Sequence, residues 1–232
     1  MSEGSYKQFC PVAMASEVLC TRWTMMLVRE LLLGTARFND LRRGVPRMSP
    51  ALLSKRLKDL EAAGILKRAK ASKGPDLYEY QLTEAGRALK PIVDAIGDWG
   101  HRWVTTEATL ANLDVNLLMW NMRRNINPEP MPQRRGTVQF IYTDLPAAKR
   151  NWWLIVEPGE EPDLCSVDPG FDVDLYVTTD LRTMTELWMG YTSTARAKKE
   201  DRLILTGNRQ LQASFQGWLG SSRFAKMEKC VA

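Results

Sequence analysis

The sequence predicts an α+β chain in two parts: a mainly α N-terminal domain closed by a β-hairpin, then a C-terminal α+β domain with a mostly antiparallel sheet. Three observations carry this. Apolar residues recur at three- and four-residue steps through most of residues 11–105, and strand-like alternation is confined there to residues 65–82. Beyond residue 136, alternating and fully apolar segments are interrupted by helical ones, without the strict strand–helix repeat of a parallel sheet. Charge divides along the same line: residues 1–105 carry 17 Lys/Arg against 11 Asp/Glu, the remainder 15 against 16. The expected domains are 9–105 and 112–224.

Composition narrows the function classes. With 44% hydrophobic and 25% charged residues in a chain of 232, the protein is neither disordered nor fibrous. Its longest apolar runs, such as Trp152–Val156, fall far short of the roughly 18 residues of a membrane-spanning helix. Polar residues interrupt the first 30 positions, so no signal peptide is expected. Four cysteines, at 10, 20, 165 and 230, form neither a disulfide framework nor a close-spaced zinc motif. A cytoplasmic location, with no metal, no cofactor and no membrane partner, is expected.

In chain order, Met14 and Val18, then Trp23, Met26, Leu27 and Leu31, mark two short helices broken near Cys20-Thr21, with Gly34 closing the second. Phe38 and Leu41, stopped by Gly44-Val45-Pro46, mark a third. Ser49-Pro50 then opens a helix: a hydroxyl that can cap, followed by a proline at the first helical position. It runs over about 50–63 with Leu53, Leu57 and Leu60 on one face and ends at Gly64. Ile65–Ala71 and Leu77–Leu82 read as strands around the turn 72–76. This is the order of a winged helix-turn-helix.

Turning the three leucines inward points Ala51, Lys55, Lys58 and Ala62 outward, flanked by Leu52 and Ser54. Small and basic side chains suit a helix that must enter a major groove roughly 12 Å wide. Between Arg37 and Lys73 there are 11 basic residues against three acidic ones. The candidate DNA contacts are Arg37, Ser49, Pro50, Ala51, Leu52, Ser54, Lys55, Arg56 and Lys58, with Lys70 and Lys73 on the wing over about 65–82. Lys67 and Arg68 lie on the same wing.

Thr83 is expected to cap a helix reaching about Thr105, kinked at Pro91. On it Ala85, Leu89, Ile92, Ile96, Trp99 and Trp103 follow steps of four and three, a seam suited to a two-fold contact. Leu89, Ile92, Ile96, Trp99 and Trp103 are therefore the candidate dimerisation residues. A two-fold dimer would set two recognition helices about 34–36 Å apart on double-stranded DNA. Catalysis is not expected. His101, the only histidine, sits in the seam in a structural or solvent-facing role, and no nucleophile elbow, zincin, phosphate-loop or dinucleotide motif occurs.

These residues carry a resemblance. Cys10-Pro11-Val12, Arg22-Trp23-Thr24, Leu31-Leu32-Leu33-Gly34 and Arg37–Arg43 precede Ser49–Glu61, Gly64–Arg68 and Tyr80–Gly86 in fixed order. Over residues 9 to about 103 the chain resembles the HxlR family of bacterial winged helix-turn-helix transcriptional regulators. The resemblance implies a homodimer joined by the first and last helices, DNA contacts from recognition helix and wing, and control of nearby genes. In some members a Cys followed by Pro near the N-terminus senses electrophiles or oxidants, which makes Cys10 a redox candidate. The sequence departs from the family in placing Cys20-Thr21 where a Gly often precedes the Arg-Trp-Thr motif.

In the second half, a helix over about Asp114–Arg124 leads through a proline-punctuated connector at 127–132 into strands. Val138, Phe140 and Tyr142 alternate with polar neighbours, and Trp152–Val156 is apolar on both faces. Leu164–Val167, Asp172–Thr178 and Arg202–Thr206 read as further strands. Asp180 caps a helix bearing Leu181, Met184, Leu187 and Trp188, while Leu211, Phe215, Trp218 and Leu219 mark a final one. Asp172 and Asp174 are paired carboxylates on one strand face, and residues 194–201 form a charged stretch. This order is similar to the sterol carrier protein type 2 (SCP2-like) fold over roughly 115–220. That resemblance implies a cavity for an apolar small-molecule effector, with Trp120, Trp152, Trp153, Tyr176 and Trp188 as candidate lining. The same aromatics can instead fill a core. A lipid or small-molecule carrier is the alternative to a regulator.

Overall fold

The structure, a computed structural model, describes residues 5–70 and 78–231. It divides into two compact units, Met1–Asp98 and Trp99–Ala232.

The first unit begins with α1 (Pro11–Leu19) and α2 (Thr24–Leu32). Between them the left-handed backbone position falls on Trp23, at φ +78°, rather than on Cys20 or Thr21. A tryptophan there costs strain that a glycine would not. After α3 (Phe38–Gly44), Ser49 caps α4 (Pro50–Ala62): its Oγ accepts from the Leu52 N–H at 3.3 Å. Leu53, Leu57 and Leu60 are buried with Leu27, Val28, Leu31 and Leu41 in one apolar core. The strands β1 (Leu66–Lys70) and β2 (Tyr78–Leu82) pair antiparallel, Lys67 opposite Gln81 and Lys70 opposite Tyr78. The expected turn at 72–76, Lys73 included, lies outside the described residues.

One helix was expected after Thr83, and two are found. Thr83 accepts from the Gly86 N–H and caps α5 (Glu84–Arg87); α6 (Lys90–Trp103) follows. Pro91 therefore sits in a first turn, where its missing N–H costs nothing, instead of kinking a longer helix. Gly86 is required by close approach: a Cβ there would lie 2.1 Å from the Ile65 carbonyl oxygen. Deeper in the unit, the Glu30 carboxylate is fully buried, held by Arg29 at 2.7 Å and by the Thr35 hydroxyl at 3.4 Å.

The second unit takes over within α6, at Trp99, and continues with α7 (Thr106–Leu110) and α8 (Val115–Arg123), the latter capped by Asp114. Then come β3 (Gly136–Tyr142), α9 (Ala147–Arg150), β4 (Asn151–Val156), β5 (Asp163–Cys165) and β6 (Leu175–Thr179). They are followed by α10 (Leu181–Met189), α11 (Thr194–Lys199), β7 (Leu203–Gly207), α12 (Arg209–Ala213) and α13 (Phe215–Leu219). The five strands form one sheet in the order β5-β4-β3-β6-β7, parallel only between β3 and β6. Val138, Phe140, Tyr142, Trp152, Leu154, Leu175 and Val177 project from one face into a core completed by α8, α10, α12 and α13.

Three expectations are corrected. The strand expected at Asp172 begins only at Leu175, because Asp174 is turned to other work: its carboxylate accepts from the Arg134 guanidinium at 2.6 Å and the Thr137 N–H at 3.0 Å. The strand expected to end at Val167 ends at Cys165. The last helix breaks at Ser214 into α12 and α13. The charged stretch at 194–201 contains a helix, α11, whose cap is Ser193.

Candidate nucleic-acid interface

The N-cap of α4 and its leucine face decide what the helix shows to solvent. With Leu53, Leu57 and Leu60 buried, Ala51, Lys55 and Lys58 are exposed, and Leu52 and Ser54 are half-buried beside them. Pro50 is exposed at the same end; the Ser49 hydroxyl is engaged in the cap. Arg56 is turned to one side, where it donates to the Arg22 carbonyl at 3.2 Å and pairs with Asp59 at 2.7 Å. Arg37 is exposed but faces Glu79 at 3.5 Å, too long for a strong pair.

On the wing, Lys67, Arg68 and Lys70 are all exposed. The Arg68 guanidinium lies over the Tyr78 ring, 3.9 Å from its centroid, a contact that leaves the charge uncompensated. Among the described residues, Lys55, Lys58, Lys67 and Lys70 have no carboxylate partner. Ordinary solvated lysines scatter; these four occupy one capped helix and one hairpin. Fixed positive charge without internal neutralisation is what a polyanion recruits, because each contact releases a condensed counterion.

The seam on α6 is placed more unevenly. Ile92, Ile96, Trp99 and Trp103 are 45–63% exposed, whereas Leu89 is half-buried against the core of its own unit. On α1, Val12, Met14 and Val18 are exposed as well. Cys10 stands at the N-cap of α1, and its thiol is held below its usual range by the backbone N–H groups of Ala13 and then Val12, which favour the thiolate.

His101 is not in solvent. It is 8% exposed, stacked on the Phe224 ring at 5.6 Å and near Tyr191 at 6.3 Å, with Nε2 3.0 Å from the Met227 carbonyl. The Cys230 N–H donates to the Arg102 carbonyl at 2.9 Å, and Lys229 Nζ donates to the Val104 carbonyl at 2.6 Å. Periodicity could not reveal this cluster, since its partners are 90 or more residues away.

The five aromatics do not converge. Trp152 and Trp188 belong to the core. Trp153 and Tyr176 both pair with Gln139 and so share the opposite sheet face, Trp153 buried and Tyr176 38% exposed. Trp120, on α8, is buried with Arg123 and Arg124 over its ring.

Comparison with known proteins agrees with this geometry. The HxlR-like helix-turn-helix model matches residues 18–108. HTH-type transcriptional regulator YvaP of Bacillus subtilis (strain 168) is 38% identical over 98 residues, which are 42% of this chain and 91% of that protein. The chain belongs to the HxlR-like helix-turn-helix family. Its first unit is a DNA-binding helix-turn-helix of the transcriptional-regulator type. A second relative, HTH-type transcriptional regulator YybR of the same organism, is 38% identical over 94 residues, 40% of this chain and 75% of that one. The solved structure of the redox regulator HypR in its reduced form is 37% identical, covering 39% of this chain and 90% of that chain with a TM-score of 0.37. No helix among the described residues is long and apolar enough to cross a membrane.

Proposed function

We propose that this HxlR-family protein is a cytoplasmic, homodimeric regulator of transcription rather than an enzyme. In it α4 enters the major groove of double-stranded DNA and the β1–β2 hairpin follows the backbone. The observation that carries the reading is the set of exposed cations on α4 and the wing, Lys55, Lys58, Lys67 and Lys70, without a carboxylate partner among the described residues. The exposed apolar stripe of α6 supports the dimer, since an isologous contact would cover Ile92, Ile96, Trp99 and Trp103 twice over. The second unit is a sensing or interaction domain. Its order of β6, Asp180-capped α10, charged α11, β7 and the two closing helices supports the SCP2-like resemblance. An apolar effector bound there would act only through unequal affinity for two states of the dimer.

Footprinting on the region around its own gene tests the central claim. Protection of a near-palindromic site is expected, with affinity falling steeply as salt rises. Absence of duplex binding at about 50 mM salt would overturn it and favour the carrier reading. Native mass spectrometry of protein from its own host tests the effector: an empty second unit across a lipid panel counts against it. A redox role has one specific observation behind it, the thiolate-favouring N-cap position of Cys10. Iodoacetamide should label Cys10 faster than Cys20 below pH 8; equal rates would remove the role.

A further inference from the structure

A cleft of about 580 Å³ opens in the first unit between the end of α2, residues 34–36, β2 and α5–α6. Leu31, Leu32 and Leu82 form its apolar wall; Lys67, Arg87 and Lys90 supply positive charge; no Asp or Glu among the described residues lines it. The volume lies within the range of pockets that take small organic ligands.

The wall is held rigidly. The Tyr80 N–H donates to the Ala36 carbonyl at 2.8 Å, tying β2 to the segment after α2. Thr35 is pinned to Glu30 twice, through its N–H at 3.1 Å and its hydroxyl at 3.4 Å. Two of the cations remain available. Lys90 is committed to Asp94, one turn further along α6. Arg87 places one guanidinium nitrogen on the Leu82 carbonyl at 2.6 Å, which fixes the group at the cleft edge and leaves its other donors unspent. Lys67, opposite Gln81 on the hairpin, has no carboxylate partner among the described residues. Like charges around one space repel unless an anion enters, and an apolar wall gains nothing from a hydrated inorganic ion. The two requirements select one class of ligand.

We propose that this cleft binds a small apolar carboxylate, its ring or alkyl chain against Leu31, Leu32 and Leu82 and its carboxylate between Lys67 and Arg87. The site shares Lys67 with the proposed DNA interface but lies apart from any cavity in the second unit. Binding is measured on the free protein, so failure of the DNA claim would leave it standing.

The test is a titration of the full chain, carrying ¹³C-labelled leucine methyls, with benzoate and with octanoate; benzyl alcohol and sodium chloride serve as controls. Saturable shifts at Leu31, Leu32 and Leu82 are expected for both carboxylates. Loss of charge-assisted hydrogen bonds in the double variant Lys67→Gln, Arg87→Gln should weaken carboxylate binding by about tenfold or more, with benzyl alcohol unaffected. Arg87→Lys restores charge and, if the double variant loses structure, carries the comparison alongside Lys67→Gln alone. Benzyl alcohol binding as tightly as benzoate, the absence of saturable shifts, or non-saturating shifts spread over leucine methyls throughout the chain would each overturn the proposal.

Discussion

Truncating Trp99 probes the dimer seam on α6, and the exposures set the size of the effect. Trp99 is 63% exposed, as are Trp103 at 52%, Ile96 at 49% and Ile92 at 45%. A tryptophan offers up to roughly 250 Å², so the free part of Trp99 is about 150 Å², or ~4 kcal/mol if buried at about 25 cal/mol/Å². A two-fold contact would count it twice, but association also costs side-chain ordering and rigid-body freedom. Hot-spot tryptophans keep about 2–4 kcal/mol of such a sum, so Trp99→Ala should raise the dimer dissociation constant by roughly 30- to 1000-fold. Sedimentation equilibrium across a wide concentration range reads this directly. Folding stability should change little, because an exposed side chain leaves no cavity in the monomer. An unchanged dissociation constant refutes the seam. A large loss of thermal stability without loss of association would make Trp99 a structural residue of its own chain.

Three further predictions follow from the geometry. Replacing Lys55 and Lys58 by Ala removes four cations per dimer; if each meets a phosphate, the log–log salt slope should flatten by roughly 3–4, measured by fluorescence anisotropy on the footprinted site. Unchanged slope and affinity would take α4 out of the interface. Gly44→Ala would set a Cβ 2.1 Å from the buried Glu30 Oε2, and urea unfolding should show a loss of about 2–4 kcal/mol from overpacking and displacement of the carboxylate. A loss near zero would mean that Glu30 moves freely. Burial alone would raise the carboxyl group of Asp174, but the Arg134 guanidinium and the Thr137 N–H together outweigh it and hold the group below its ordinary value. Its contribution is therefore complete above the unfolded value near pH 4 and is lost as pH falls through the lower folded value. Asp174→Asn should cost about 1 kcal/mol at pH 7 and progressively less in acid; a constant difference across melts from pH 7 to 3 would contradict this.

What could be read in advance was local chemistry. Ser49-Pro50 announces the start of α4 because cap and fixed φ act within one turn, and the spacing of Leu53, Leu57 and Leu60 then decides which lysines face out. Trp152–Val156 announced a strand buried on both faces, which β4 is. What could not be read depends on distant partners. Asp172–Thr178 alternates like one strand, yet Arg134 and Thr137 hold Asp174 before the strand begins. Glu30 looks like any helical glutamate until Gly44 and Thr35 close around it. The aromatics of the second half looked like one set because sequence does not show that Trp152 and Tyr176 lie on opposite faces of the sheet.

The cluster around His101 makes the second unit a closed circuit: residues 227–230 return to residues 101–104, where that unit begins. Such closure should tolerate relocation of the opening. Joining the meeting ends and cutting at an exposed loop such as 157–161 should give a permuted second unit that still folds, with the aromatic clasp as its seam.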